Sequence, residues 1–339
     1  MSVTALFKTQ PEDFVVDEVL GFEPCGEGEH LFVLIEKRGM NTQWAAKLLA
    51  EACGLKERDV SHSGLKDRHA VTRQWLSVWL PGKEDPDLSA IESDELKVLA
   101  KGRHNKKLRI GTHKANRFDI RLRQVSDKAL VQSRLEAIQA QGFANLFGDQ
   151  RFGHEDRNLK LFDDVVAGKR MKKPRQAMAI SAARSALFNL VADYRQQQGL
   201  AGQVLAGDVL MLAGSHSVFV AEQDELPALQ QRLAEGDVQL TAPLYGKGGV
   251  KPQGPAAELE AAALAGQEAR LEGLEKLANS ARRPLWLKPE LAWQWQDSDL
   301  VLSFTLPTGS FATALLANLA ELVEPERVKE VKTDEDPGQ

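Results

Sequence analysis

KGRHNKKLRIGTHKANRFDIRLR, residues 101–123, carries the most informative local pattern of the chain. In its last seven residues Phe118, Ile120 and Leu122 alternate with Arg117, Asp119, Arg121 and Arg123. Side chains of a strand point alternately to its two faces, so this period of two predicts a strand with one apolar and one basic face. The apolar face is expected to enter a core, and the basic face to meet an anionic partner. Across the whole stretch nine Lys/Arg stand against one acid, Asp119, an excess of eight positive charges. Such a cluster is the footprint expected for a phosphate backbone. KRMKKPR at 169–175 repeats the signal. The whole chain nevertheless has a formal net charge of -5, because acids concentrate elsewhere. Residues 321–339 alone hold seven acids and three Lys/Arg, and are expected to form a solvated tail.

Working outward, FVVDEVL at 14–20 and LFVLIEK at 31–37 read as strands, and the glycine-containing FEPCGEGEH between them suggests a hairpin. Thr42 is expected to cap the helical run WAAKLLAEAC, which stops at Gly54. WLSVWL at 75–80 reads as a further strand. Asp127 is expected to cap a helix striped by Val131, Leu135 and Ile138 and ended by Gly142. Ser181 is expected to open another helix, with shorter helical patterns at 225–234 and 256–277. Near the end, LVLSFTL alternates through Leu302, Phe304 and Leu306, and predicts a strand followed by a glycine turn and a helix.

At 339 residues the chain suits about two domains with a substantial core. Cys25 and Cys53 form no metal-ligand pair, which predicts reduced thiols and a cytoplasmic protein. The start lacks a basic segment followed by a long apolar run, and no stretch approaches a membrane-spanning length, so a soluble, unprocessed chain with no membrane partner is expected. The seven histidines show no HExxH spacing, and neither a Walker loop nor a dinucleotide-binding glycine pattern occurs. No metal and no cofactor are therefore expected.

GLKDRHAVT, residues 64–72, concentrates a flexible turn, a cation, a carboxylate and a histidine, His69. By itself it could be a loop held by an ordinary ion pair. The run resembles the active-site motif of the TruD family, synthases that convert uridine to pseudouridine at position 13 of transfer RNA. PEDFVVDE from Pro11, KLRIGTHKANRF from Lys107, NLFGDQRFG from Asn145, SAARSALFN from Ser181 and LPTGSFAT from Leu306 resemble the same family in the same order. One departure is Ala115, where the related motif often has glycine before the asparagine; alanine disfavours positive φ but keeps the main-chain amide.

The resemblance implies an α+β chain: a pseudouridine-synthase fold with a mixed, largely antiparallel sheet, interrupted by an inserted α/β TRUD domain. Catalytic residues would lie in 1–150 and 291–339, and the insertion in 151–290. It implies Asp67 as the catalytic nucleophile, with Lys8 as its ion-pair partner. Phe14, Asn116, Phe118 and Phe311 would hold the uracil. The charge excess of residues 101–123 places Lys106, Lys107, Arg109 and Lys114 on the RNA backbone, and Lys66 and Arg68 are further candidates for holding phosphates. Asn145, Gln150 and Arg151 would form a more distant loop near the backbone or a domain junction. The implied partner is transfer RNA, met by base flipping, with a monomeric enzyme and no obligate protein partner. Two other classes fit parts of the pattern. A non-catalytic binder of structured RNA would use the basic stretch but not need Asp67, and a structural interaction protein would bind little RNA.

Overall fold

The computed structural model describes residues 3–325; most of the acidic tail, 326–339, lies outside them. From the start the chain forms β1 (Thr4–Leu6), β2 (Phe14–Val19), β3 (His30–Arg38), α1 (Thr42–Ala52), β4 (Val60–His62), β5 (Val71–Trp79), β6 (Leu96–His104), β7 (Ala115–Leu122) and α2 (Lys128–Gln141). The middle holds β8 (Phe143–Ala144), α3 (Arg157–Val166), α4 (Lys173–Gln197), β9 (Val209–Leu212), β10 (Val218–Val220), α5 (Leu226–Glu235) and β11 (Val238–Leu244). It continues with α6 (Gly254–Ala263), α7 (Glu268–Leu277), β12 (Ala281–Pro284) and β13 (Trp286–Leu287). The last elements are β14 (Leu291–Gln296), β15 (Asp299–Pro307), α8 (Ala312–Ala317) and β16 (Glu321–Val323). Among the described residues, 3–141, 289–312 and 316–325 group into one unit, and 142–288 with 313–315 into a second.

The first unit is built on an eight-stranded sheet, order β14-β15-β7-β2-β5-β3-β6, with β4 paired to β5. All of its pairs are antiparallel except β2 with β5. Register places Lys37 opposite Thr72, Ile35 opposite Gln74 and Val33 opposite Leu76. It also sets Val16 opposite both Thr72 and Phe118, and Glu18 opposite Asn116. Because facing partners share a side, one face carries Leu31, Val33, Ile35, Leu76 and Val78 toward β6, and Phe14, Phe118 and Phe304 toward β15. Between them runs a polar band of Lys37, Thr72, Gln74, Glu18 and Asn116. Helix α1 covers the aliphatic part with Ala45, Ala46 and Leu49, the last fully buried. Truncating such a leucine to alanine costs about 2–5 kcal/mol. On the opposite face Phe32, Leu20 and Leu108 pack with Trp75.

Several sequence expectations need correction. The strands at 14–20 and 31–37 form no hairpin, because β5 lies between them, parallel to β2 and antiparallel to β3. The cap of α1 is Asn41, whose side chain accepts from Trp44 N at 2.6 Å. Thr42 is instead buried, and its hydroxyl serves the polar band. Asp127 does cap α2, accepting from Leu130 N at 2.9 Å, and Gly142 follows the helix at φ 79. The tail does not begin disordered at Glu321: Glu321–Val323 pair in parallel with Thr4–Leu6.

The second unit has a four-stranded antiparallel sheet, order β10-β9-β11-β12, and a small β8–β13 pair. Ser181 lies inside α4, which starts two turns earlier at Lys173 with proline in its first turn, where the missing amide costs nothing. The run at 256–277 divides into α6 and α7 around Gly266, at φ 80. Helices α3 and α7 approach so closely at Gly273 that a Cβ there would lie 2.6 Å from Val166 Cγ2. Arg195 and Asp208 form a buried pair at 2.7 Å. The guanidinium grips both carboxylate oxygens, with Nη1 on Oδ1 at 2.8 Å and Nη2 on Oδ2, and Oδ2 also accepts from Leu205 N at 2.7 Å, so the buried charge is fully hydrogen-bonded.

Candidate active site

Asp67 stands on the loop between β4 and β5, with 49% of its side chain exposed. Two lysines from different strands or loops hold it. Lys8 Nζ meets the carboxylate Oδ2 at 2.7 Å, from a side chain only 6% exposed. Lys37 Nζ donates to the main-chain oxygens of Asp67, at 2.7 Å, and of Met40, at 2.6 Å. Lys37 is fully buried because it continues the inward row Leu31, Val33, Ile35 on β3. Burial brings its ammonium down to about 7, against the opposing attraction of Asp67 and with further help from Lys66.

Lys8 is fixed from several sides. Its backbone takes φ 54, a left-handed conformation uncommon for a residue with a Cβ. Its ammonium lies 4.5 Å from the centroid of Phe14 and 5.0 Å from that of Phe7. The next turn is pinned by Asp13, which is 1% exposed and receives both Nε and Nη2 of Arg123. Phe7, Phe14, Phe118 and Phe304 then form a continuous aromatic row, with centroids 5.4, 6.1 and 5.3 Å apart.

Beside this row the polar band is closed into a network. Glu18, whose side chain is fully buried, receives Lys66 Nζ at 2.9 Å, Trp75 N at 3.2 Å and the Ser63 hydroxyl. Lys66 Nζ also donates to Asn116 Oδ1 at 2.6 Å. Asn116 Nδ2 is 3.2 Å from His113 Nε2, for which an unprotonated ring nitrogen is the matching acceptor. Burial, and then Lys66, push the His113 imidazole below its usual range, which keeps that acceptor available. Thr42 Oγ1 accepts from Lys66 N and donates to Gln74, and Gln74 Nε2 donates to Gly64 O at 3.2 Å. The loop carrying Asp67 is therefore tied to the sheet at Gly64, Lys66 and Asp67.

The structure brings together Asp67, Lys8 and Phe14, with Phe118 next in the aromatic row. Phe14 and Phe118 are 5% and 6% exposed, so core packing occupies most of each ring. Phe311 is half-buried in the turn between β15 and α8. Lys66 requires correction as a phosphate contact: its side chain is 7% exposed and its ammonium is engaged by Glu18 and Asn116. Arg68 is exposed, with Nε donating to Gly39 O at 3.3 Å. Lys106, Lys107, Arg109 and Lys114 are exposed on the loop between β6 and β7.

The basic face of β7 also requires correction. Arg121 pairs with Asp299 at 2.9 Å, Arg123 with Asp13, and Arg117 lies 3.6 Å from Asp119. Asn145, in the second unit, is buried between Pro284 O and the Arg283 guanidinium, while Gln150 is exposed and Arg151 donates to Ser181 Oγ at 3.0 Å. Sequence reading missed Lys37, Glu18 and His113. The period of two could have found the first pair, since each polar residue falls in an otherwise apolar inward row.

Among the described residues no group of three or more His, Cys, Asp or Glu is placed to hold a metal ion, and no helix is long and apolar enough to cross a membrane.

The family model for tRNA pseudouridine synthase D (TruD) matches residues 2–163 and 162–319. The chain is 50% identical over 337 residues to the tRNA pseudouridine synthase D of Aeromonas hydrophila subsp. hydrophila, covering 98% of this chain and 96% of that protein. It is 48% identical, with the same coverage, to the protein of that name in Aeromonas salmonicida. In fold it resembles a crystal structure described as tRNA pseudouridine synthase D from Methanosarcina mazei, with a TM-score of 0.73 at 22% identity and 94% of each chain covered.

Proposed function

The chain belongs to the TruD family and is a transfer RNA pseudouridine synthase, and from that premise we propose that it isomerises uridine 13 with Asp67 as the catalytic group. The observation that carries the assignment is the half-exposed Asp67 carboxylate held at 2.7 Å by the buried Lys8 ammonium. Pseudouridine formation breaks the N1–C1′ bond of uridine, rotates the uracil and joins C5 to C1′. The C5 proton leaves and N1 gains one, so atoms balance without an oxidant or a group donor. A carboxylate can serve by attacking C1′, by adding to C6, or by stabilising a ribosyl cation and removing the C2′ proton. Each route needs an oriented anion, and the Lys8 contact supplies the orientation.

The target base must leave its stack to reach Asp67, so base flipping is part of this reading. The edges of Phe14 and Phe118, with Phe311, would face the rotating uracil, because aromatic surfaces tolerate rotation without a fixed hydrogen-bond pattern. Asn116 receives Lys66 at its oxygen and directs one Nδ2 hydrogen at His113, so it would address the base through the other Nδ2 hydrogen. Lys106, Lys107, Arg109 and Lys114, with Arg68, would bind phosphates. Residues 142–288 would form the TRUD insertion, close to the expected 151–290. A cytoplasmic monomer is the accompanying proposal; the free thiols of Cys25 and Cys53 support the cytoplasmic part of it.

The test is Asp67→Asn under single-turnover conditions on folded transfer RNA. Pseudouridine formation is expected to vanish while RNA affinity stays within about threefold. Product at a near wild-type rate would refute the role of Asp67. Site mapping of the wild-type product tests position 13, and modification elsewhere would refute it.

A further inference from the structure

Ile110, 81% exposed, and Leu65, 65% exposed, are the two most exposed large hydrophobic residues described, the next being Trp79 at 48%. Single exposed aliphatics are ordinary on any protein surface. These two, however, stand in loops that meet beside Asp67. Leu65 precedes Asp67 by two residues, which limits their Cα separation to about 7 Å. Ile110 is bonded to Gly111 N, and that nitrogen donates to Ser63 O at 2.6 Å. Each tip is also supported. Leu108, two residues before Ile110, is 1% exposed and packs with Leu20 and Phe32, and Leu108 N donates to Ser77 Oγ at 3.1 Å. The Thr112 hydroxyl closes the turn onto Arg109 O, and Gly64 is bound by Gln74.

Lys106, Lys107, Arg109 and Lys114 flank Ile110 along the same β6–β7 loop and are exposed with it. An apolar point within a cationic rim has the complement of a polyanion with flat apolar faces inside: phosphates outside, nucleobases within. Resting on the base-flipping reading above, we propose that Leu65 and Ile110 form an apolar wedge that enters the RNA base stack and fills the gap left by the flipped uridine. Aliphatic side chains suit that place because they cover a base face without demanding a particular base. The cations set the register, the wedge keeps the gap from closing, and Asp67 acts on the released nucleotide.

The test uses the full chain carrying Asp67→Asn, bound to transfer RNA with 2-aminopurine beside the target uridine. Fluorescence is expected to rise on binding as the neighbour unstacks. Adding Leu65→Ser and Ile110→Ser should remove at least about half of that rise while affinity changes by less than about fivefold. In protein with Asp67 intact, the same two serines should slow single-turnover conversion at saturating RNA by about tenfold or more. The deficit should shrink to about twofold when an abasic nucleotide next to the uridine has already broken the stack. Serine at both exposed tips leaves the core untouched, and circular dichroism verifies folding. A full fluorescence rise and an unchanged rate in the double variant would overturn the wedge. So would loss of self-association in the double variant with both RNA readouts intact, which would assign the tips to contact between copies. Absence of any rise with both tips intact would instead refute base flipping itself, and the wedge with it.

Discussion

Lys37 Nζ donates to the main-chain oxygen of Asp67 at 2.7 Å, so a cation without exposed surface anchors the residue whose carboxylate is half exposed. The arrangement separates two duties: the Lys8 ammonium orients the carboxylate, while Lys37 fixes the backbone behind it. A buried ammonium with two carbonyl acceptors is held by geometry rather than by a paired anion, which makes its protonation sensitive to pH.

That sensitivity gives a signed prediction. Burial places Lys37 at about 7 in the folded protein, against the ordinary 10.5 when unfolded. Below about pH 7 both states carry the proton, and the full cost of burying the charge is present. Between about 7 and 10.5 the unfolded chain binds more protons, so this group makes stability rise with pH, by at most about 1.4 kcal/mol per unit. Lys37→Met removes the titration. Urea unfolding at several pH values should therefore show the wild type gaining on the variant as pH climbs through this window. A difference that is flat or falls with pH would contradict the assignment. Turnover of Lys37→Met should fall with little change in KM, because the Asp67 carbonyl loses its tie.

Lys8→Met should act on turnover more than on binding. A charge-assisted hydrogen bond contributes about 1.5–3 kcal/mol, equivalent to roughly 10- to 150-fold if all of it serves the transition state. The expected result is a fall in kcat within that range, with KM for transfer RNA changed by less than about twofold. Steady-state kinetics on one transfer RNA decide it, and a loss confined to KM would move Lys8 into RNA binding.

Glu18 and Lys66 predict a stability effect instead. Glu18→Gln leaves the inward Lys66 ammonium without its anion, which typically costs about 3–5 kcal/mol. Glu18→Gln with Lys66→Met removes both charges and should cost less than the two single losses added together. Denaturant unfolding of the four proteins measures the coupling, and simple additivity would show that the pair contributes nothing of its own.

How far such features are legible in the sequence depends on whether their partners are local. The alternation of Phe118, Ile120 and Leu122, the Asp127 cap and the Gly142 stop are written in neighbouring residues, and β7 and α2 follow them. The β2–β3 hairpin failed because alternation specifies faces, not neighbours, and β5 enters the sheet between those strands. The basic face of β7 failed for a related reason. Asp13 and Asp299, which neutralise Arg123 and Arg121, lie 110 and 178 residues away, beyond any local charge window. Asp67 was found through motif resemblance, whereas the buried Lys37 could have been read from physics alone. It follows Leu31, Val33 and Ile35 at the inward period of two, so a cation on that face is visible in the sequence itself.

The surviving cations of residues 101–123 carry the last prediction. Once the paired arginines are set aside, Lys106, Lys107, Arg109 and Lys114 remain exposed on one loop beside the site. If they hold phosphates they should orient RNA without entering the bond exchange. Each phosphate contact releases condensed counterions, so Lys106→Gln with Lys107→Gln should flatten the slope of log affinity against log salt by about 2 at most. Saturating RNA should recover much of the rate, because Asp67, Lys8 and the aromatic row are untouched. A merely solvated face forecasts no change in affinity, slope or subsaturating rate. Salt titrations of binding and single-turnover assays on one folded transfer RNA separate the two, with circular dichroism verifying the fold. Unchanged affinity and salt slope in the double variant would remove these two lysines from the RNA footprint.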